Sequence, residues 1–157
     1  MFKRVFVILL FSFEVAVAQK AAIVKFDRIE SIIKTTSNEI QVINFWATWC
    51  GPCVKELPLF NALTIRQDAG VKVTLVSVDY ADKIGQVNKF IARNKLKPEV
   101  LLLDELDYNA WIDKVDPGWG GAIPATLFVN TKTGQRKFVD KELKEGELEK
   151  YIQSLKN

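Results

Sequence analysis

The chain has 157 residues, a length that suits one domain with a single buried core. Its composition, 48% hydrophobic and 26% charged, is that of a globular protein and excludes disordered and fibrous classes. The formal net charge of +3 is spread along the sequence, so no basic stripe indicates a nucleic acid partner.

The rare residues exclude several kinds of site. The chain contains two cysteines and no histidine. Without histidine it has neither a Ser-His-Asp nor a Cys-His nucleophilic pair, and no histidine-ligated haem or zinc site. Two thiols alone do not supply four zinc ligands, and no carboxylate spacing suggests the rest. We therefore expect the cysteines to act through their own sulfur chemistry, with no metal or organic cofactor.

The first 18 residues have the pattern of a secretory signal peptide. Two basic residues open the segment, an apolar run from Val5 to Phe13 follows, and Ala16-Val17-Ala18 has the small-x-small pattern of a cleavage site. The run is shorter than the roughly 20 residues that span a bilayer. We predict a signal peptide over residues 1–18 and one domain over residues 19–157. The alternatives are a buried N-terminal strand or helix, and an uncleaved signal that tethers the protein to a membrane.

After residue 19, strand and helix patterns alternate. The segments are, in chain order, a helix with Phe26, Ile29, Ile32 and Ile33; a strand Ile40 to Phe45; a helix after Pro52 that ends near Gly70; a strand Val71 to Val78; a helix Ile84 to Asn94; a strand Val100 to Leu103; a short helix Tyr108 to Ile112; strands Thr126 to Val129 and Arg136 to Val139 around a turn at Asn130 to Gly134; and a helix Glu147 to Leu155. This order predicts a three-layer α/β/α sandwich around a central mixed sheet.

The segment Trp49-Cys50-Gly51-Pro52-Cys53 lies where the first strong strand runs into a helix. A disulfide between these cysteines closes a very short loop and constrains the unfolded chain little, so a redox switch is favoured over a structural staple. We predict that Cys50, at the helix N-cap, is the attacking sulfur, because the helix dipole stabilises a thiolate there. Cys53, in the first turn and more buried, is predicted to resolve the mixed disulfide.

The two residues between the cysteines fit this interpretation. Pro52 fixes φ at the start of the helix, where its missing N–H costs least. Gly51 leaves room for the backbone of a partner chain. Half of a zinc site and a c-type haem attachment are the alternatives for a CxxC motif, but no second cysteine pair exists and Val54 stands where the haem motif needs histidine.

The segment Phe45 to Cys53 closely resembles the active site of thioredoxins. Val54 to Pro58, and the additional segment between about Asp79 and Trp111, are similar to the TlpA/ResA-like branch of exported thioredoxin-fold proteins. Ile123-Pro124-Ala125-Thr126 resembles the cis-proline loop of the family. The resemblance covers roughly residues 22–156 and implies a thioredoxin-like fold.

The resemblance also implies a function, that of an exported thiol–disulfide oxidoreductase, periplasmic or otherwise extracytoplasmic, that reduces disulfides in other exported proteins. Its expected partners are exported proteins with disulfides or thiols, and a membrane thiol reductant that recharges the cysteines. Ile123 and Pro124 would hold the backbone of the substrate beside the cysteines, and Trp49, Gly51 and Pro52 are also expected to bind the substrate. We expect a monomer, since no exposed heptad or edge pattern indicates an obligate dimer.

Two polar residues near the motif, at positions 44 and 56, are considered as acceptors of the Cys53 proton. Thioredoxins have a buried Asp just before Phe-Trp, but this chain has Asn44, whose amide cannot take a proton from Cys53. The resemblance to the TlpA/ResA-like branch implies that a Glu three residues after the second cysteine fills that role, and Glu56 stands there. The alternative for Glu56 is a surface carboxylate favoured by the helix dipole.

Four tryptophans complete the predicted site and core. Trp46, Trp49 and Trp119 are expected to line the surface near the sulfurs, with Trp119 shaping partner access. Trp111 is expected to fill the core, because it lies between Tyr108 and Ile112 at helical spacing.

Three other functions remain open. An oxidase or isomerase would run the same chemistry in the other direction, although the Gly51-Pro52 dipeptide resembles that of reducing thioredoxins. A redox-silent binding module would keep the fold only to hold a partner. A peroxidase is disfavoured, because peroxiredoxins place Pro and Thr upstream of a single attacking cysteine and Phe45 to Trp49 lacks that arrangement.

Overall fold

The computed structural model describes residues 19–156, so the predicted signal peptide lies outside the described residues. The strands are β1 (Ala22–Val24), β2 (Ile40–Trp46), β3 (Val71–Ser77), β4 (Glu99–Leu103), β5 (Ala125–Asn130) and β6 (Arg136–Val139). The helices are α1 (Phe26–Ile33), α2 (Gly51–Arg66), α3 (Ile84–Asn94), α4 (Ile112–Val115) and α5 (Glu147–Ser154), with 3-10 turns at Ala81–Lys83 and Tyr108–Ala110. None of the helices within residues 19–156 combines the length and the apolar character that a membrane span requires.

The six strands form one mixed sheet in the order β1-β4-β3-β2-β5-β6. The first four strands in this order are parallel, whereas β5 is antiparallel to both β2 and β6. Phe45, near the end of β2, pairs with Ala125, the first residue of β5. The C-terminal end of β2 and the N-terminal end of β5 therefore lie side by side, at the end of the sheet where the parallel strands finish. The candidate site lies at this end of the sheet.

Helices cover both faces of the sheet. Along β2 the side chains alternate, so that Val42 and Trp46 enter the core under α2, α3 and α5, while Ile43 and Phe45 enter the core under α1 and α4. Both cores are apolar and every residue of β2 is buried, as expected for a central strand. The predicted three-layer sandwich with a mixed sheet is confirmed.

Most predicted elements agree with the structure to within a few residues, with two exceptions. The sequence did not indicate β1, a three-residue strand that pairs with β4 at the edge of the described sheet and is largely exposed. The predicted helix Tyr108 to Ile112 is instead a 3-10 turn followed by α4. Trp111, which joins these two pieces, is only 2% exposed, so its prediction as a core residue is confirmed.

Candidate active site

The two cysteines lie at the start of α2, directly beyond the end of β2. Cys50 is the N-cap residue of the helix, and its Sγ accepts the backbone N–H of Cys53 at 3.3 Å. The two residues form a disulfide with a Cα–Cα distance of 5.3 Å. Cys50 is 6% exposed and Cys53 is fully buried. The predicted N-cap position of Cys50 and the deeper burial of Cys53 are confirmed.

Exposed residues surround the Cys50 sulfur. Trp49 is 69% exposed, and Gly51 and Pro52 form the exposed first turn of α2. A Cβ placed on Gly51 would have no atom within 4 Å, so the space above this backbone is open. A partner chain can therefore approach the disulfide from this side.

The proline loop lies at the same edge of the sheet as the cysteines. The Ile123–Pro124 peptide bond is cis, as the resemblance predicted, and β5 begins at the next residue. Pro124 is buried and Ile123 is half-buried. Because Ala125 pairs with Phe45, this loop lies beside the segment that leads into Cys50. Binding of substrate backbone by Ile123 and Pro124 stays a prediction.

Glu56 lies one turn after Cys53 and is 1% exposed, so the alternative of a surface carboxylate is wrong. Its Oε1 accepts a hydrogen bond from Asn44 Nδ2 at 2.7 Å, and its Oε2 accepts one from the backbone N–H of Leu143 at 2.6 Å. Burial raises the pKa of Glu56 to about 7, although the hydrogen bonds from Leu143 and Asn44 favour the ionised form. The structure thus provides a buried carboxyl with a pKa near neutral pH, one helical turn after the buried Cys53.

Asn44 has a role that the sequence did not indicate. Besides its bond to Glu56, its Nδ2 donates to Thr126 Oγ1 at 3.0 Å on the neighbouring strand. Strand alternation could have located it, because residue 44 lies on the same face of β2 as Val42 and therefore faces α2. Leu143 carried no such signal, since it lies 87 residues after Glu56 in a loop before α5.

Two tryptophans are placed differently from the prediction. Trp46 is fully buried and Trp119 is 3% exposed, so neither lines the surface near the sulfurs. Trp46 ends a strand that is covered on both faces, and its ring lies 5.2 Å from that of Phe90 on α3. Trp119 packs 4.8 Å from Phe45, and its Nε1 donates to the carbonyl of Ala122 at 2.8 Å. Trp119 therefore supports the proline loop from within the core.

Asp79, which the sequence did not indicate, fixes the loop that leads to Cys50. Its buried carboxylate accepts the Thr48 N–H at 2.9 Å, the Thr48 hydroxyl at 2.6 Å and the Ser77 hydroxyl at 2.7 Å. Its position just after β3 is a signal that could have been used, because polar residues at the carboxyl edge of parallel strands often serve a site. Asp79 thus connects β3 to the backbone two residues before Cys50.

We expect Asp79→Ala to lower the free energy of unfolding by about 3 kcal/mol, because the buried Ser77 hydroxyl and the two part-buried donors of Thr48 lose their acceptor. Urea unfolding of the oxidised protein measures this loss. Asp82→Ala is the matched control, since Asp82 is exposed and pairs with the exposed Lys83 at 3.2 Å, and it should cost less than about 1 kcal/mol. Equal losses for the two variants would show that Asp79 does not anchor the loop.

Within residues 19–156, no group of three or more Cys, Asp or Glu side chains is arranged to hold a metal ion. The reactive groups of the site are the sulfurs of Cys50 and Cys53 at the N-terminus of α2, with the buried carboxyl of Glu56 one turn later in the same helix. Such a pair is suited to exchange between a dithiol and a disulfide.

Comparison with known proteins agrees with this geometry. A model of the AhpC/TSA family matches residues 17–134, about three quarters of the chain. The chain is 28% identical over 116 residues to the thiol–disulfide oxidoreductase ResA of Geobacillus thermodenitrificans, an alignment that covers 73% of this chain and 62% of the relative. The chain thus spans about three fifths of the length of this curated relative.

Solved structures show the same fold. A thioredoxin-related protein from Neisseria meningitidis serogroup B superimposes with a TM-score of 0.66 at 24% identity, over 78% of this chain and 88% of that one. StoA from Bacillus subtilis superimposes with a TM-score of 0.57 at 22% identity, over 74% of this chain and 84% of that one. The predicted thioredoxin-like fold is therefore confirmed.

Proposed function

Because this chain belongs to the AhpC/TSA family of thioredoxin-fold proteins, we propose that it is a thiol–disulfide oxidoreductase that reduces disulfides in exported proteins. The observation that carries the proposal is the position of Cys50, at the N-cap of α2 and beside open space, with Cys53 buried one turn deeper. The name of the ResA relative supports the same type of chemistry.

The proposed reaction has two exchange steps. The Cys50 thiolate attacks one sulfur of a substrate disulfide, which forms a mixed disulfide and releases the other substrate sulfur as a thiolate. Cys53 then loses its proton to Glu56 and attacks the Cys50 sulfur, which releases the second substrate thiolate. Two electrons pass from the enzyme thiols to the substrate. One released thiolate takes up the proton that Glu56 accepted, and the other takes up a proton from solvent, which received the proton of Cys50 when its thiolate formed. A dithiol donor returns the Cys50–Cys53 disulfide to the reduced state.

Export and the choice of partners are parts of the same proposal. The signal-peptide pattern of residues 1–18 supports a location outside the cytoplasm, where substrate disulfides persist. In that location a membrane thiol reductant is the donor that we propose. The exposed surface at Trp49, Gly51 and Pro52, with the proline loop beside it, supports binding of an extended substrate segment through its main chain.

The reduction potential of the Cys50–Cys53 pair tests the direction of transfer. Equilibration of the purified protein with a thiol redox buffer should give about −270 mV or lower, as in thioredoxin. A value of about −180 mV or higher, in the range of disulfide isomerases and strong oxidants, would contradict reduction and make the protein a disulfide donor or isomerase. Alkylation and mass measurement of the two thiols give the oxidised fraction directly.

A further inference from the structure

A basic groove opens beside the loop that leads into Cys50. It has a volume of about 310 Å³ and is lined by Thr48, Gln86, Lys89, Phe90 and Arg93. Phe90 forms the buried floor, whereas Gln86, Lys89 and Arg93 are exposed on the outer face of α3. The groove therefore joins an apolar floor to a cationic rim.

The cations of this groove are not neutralised by an ion pair within the described residues. The Arg93 guanidinium lies over the ring of Phe90, 5.8 Å from its centroid. Lys89 and Arg93 are four residues apart on α3, so their side chains share one face. In the part of the chain that the structure describes, neither residue forms an ion pair with a carboxylate.

The sequence around α3 strengthens this charge. From Lys83 to Pro98 the chain carries five basic residues and no acidic one, although the whole protein has nearly equal numbers of each. The nearest acidic residues on either side are already engaged, because Asp82 pairs with Lys83 and Glu99 pairs with Arg28. The positive potential of the groove is thus available to a ligand.

The groove borders the loop that leads into Cys50. Gln86 Nε2 donates to Thr48 Oγ1 at 3.3 Å, which links α3 to the loop before Cys50. Thr48 precedes Cys50 by two residues, so their Cα atoms are at most about 7 Å apart. In the sheet, β3 and β5 flank β2 on opposite sides, so the groove beside α3 and the proline loop before β5 lie on opposite sides of Cys50.

We propose that Lys89 and Arg93 form a subsite for an acidic side chain of the substrate, two or three residues from the disulfide that Cys50 attacks. The inference rests on the proposed function and adds a substrate preference to it. A substrate segment held at Ile123 and Pro124 continues across Cys50 toward the groove. A carboxylate there gains two cations that form no ion pair within residues 19–156, whereas a lysine at that position is repelled.

The test uses three disulfide-linked peptide dimers that differ only in the residues two and three positions from the cysteine, which are Glu, Gln or Lys. The second-order rate at which each peptide oxidises the reduced full-length protein is measured. For the Lys89→Gln/Arg93→Gln variant we expect the ratio of Glu-peptide to Lys-peptide rates to fall about tenfold relative to the unchanged protein, because each exposed charge pair changes a rate up to about fivefold. Comparing ratios removes the intrinsic reactivity of each peptide.

A second double variant provides the matched control. Lys72→Gln/Lys156→Gln removes the same charge at the opposite end of the strands from Cys50. Lys72 follows Val71, which pairs with the first residue of β2, and Lys156 follows Leu155, whose carbonyl accepts a hydrogen bond from Asn130 at the end of β5. Its ratio should change less than twofold at about 0.15 M salt, where charges are screened over about 8 Å. Lys89→Arg/Arg93→Lys should keep the preference, which separates the charge from any effect on folding.

Three outcomes would overturn the subsite. If the Gln peptide is reduced normally but the ratio is the same in all variants, the subsite is absent while the proposed function stands. If the unchanged protein reduces none of the peptides, the proposed function fails together with the subsite. If Lys89→Gln/Arg93→Gln loses binding to phosphatidylglycerol vesicles and keeps the peptide ratio, the cations serve a membrane surface instead.

Discussion

Replacing Cys53 with serine is expected to convert the protein into a covalent trap, whereas replacing Cys50 with serine is expected to abolish the reaction. In Cys53→Ser the attacking sulfur is intact, so a disulfide peptide should form a mixed disulfide that cannot be resolved. In Cys50→Ser the exchange rate should fall on the order of 10⁴-fold or more, because a hydroxyl does not replace the thiolate.

The geometry gives the physical reason for this asymmetry. Cys50 lies at the N-terminus of α2, where the helix dipole and the N–H of Cys53 favour negative charge on its sulfur. Cys53 is fully buried, and its sulfur is bonded to that of Cys50. A substrate can therefore contact the sulfur of Cys50, whereas the sulfur of Cys53 is placed to react with that of Cys50.

Intact-mass measurement of each variant after incubation with the peptide distinguishes the possible roles. Cys53→Ser should gain the full mass of one peptide, and Cys50→Ser/Cys53→Ser should gain none. An adduct on Cys50→Ser but not on Cys53→Ser would reverse the assigned roles. The absence of adducts on both single variants would indicate a redox-silent binding module.

The sequence was sufficient to predict the fold and the position of the cysteines because both depend on local patterns. Alternating strand and helix periods determine which segments enter the layers, and a CxxC motif between a strand and a helix fixes Cys50 at the N-cap. The three-residue β1 escaped prediction because its pairing with β4 depends on tertiary contact, not on a pattern of its own.

Burial of individual side chains could not be predicted in the same way. The sequence around a tryptophan near a reactive motif is the same whether its side chain is exposed or buried. Its burial depends on which distant element of the fold covers it. Trp49 projects from the loop after β2, while Trp46 is covered by Phe90 and Trp119 by Phe138. The same limit applies to Glu56, whose second hydrogen-bond donor lies 87 residues away.

Glu56→Gln is expected to slow the resolution of the mixed disulfide about 10²-fold at pH 8, the usual range for loss of a general base. With a pKa of about 7, Glu56 is mostly ionised at pH 8 and can accept the proton of Cys53. In the unchanged protein the resolution rate should therefore rise as the pH passes through about 7 and then level off. In the variant this inflection should be absent.

Single-turnover experiments with acid quenching measure the resolution rate across this pH range. Glu145→Gln is the matched control, because Glu145 is exposed and lies two residues after Leu143, and its rate should change less than about twofold. If Glu56→Gln and the unchanged protein gave the same pH profile, Glu56 would not be the proton acceptor.

The free energy of unfolding of the oxidised protein reports the pKa of Glu56 without any contribution from thiols. Since folding raises this pKa from 4.5 to about 7, the folded state holds a proton that the unfolded state releases between these values. Stability should therefore fall by about 3 kcal/mol as the pH rises through this window, and Glu56→Gln should remove that slope. Both carboxyl oxygens of Glu56 accept hydrogen bonds, so the NH₂ of a Gln would face another donor, either Asn44 Nδ2 or the Leu143 N–H. This clash lowers the stability of the variant at every pH. The slope of stability against pH, and not the stability itself, therefore reports the titration of Glu56. A variant that kept the slope would show that another group titrates there.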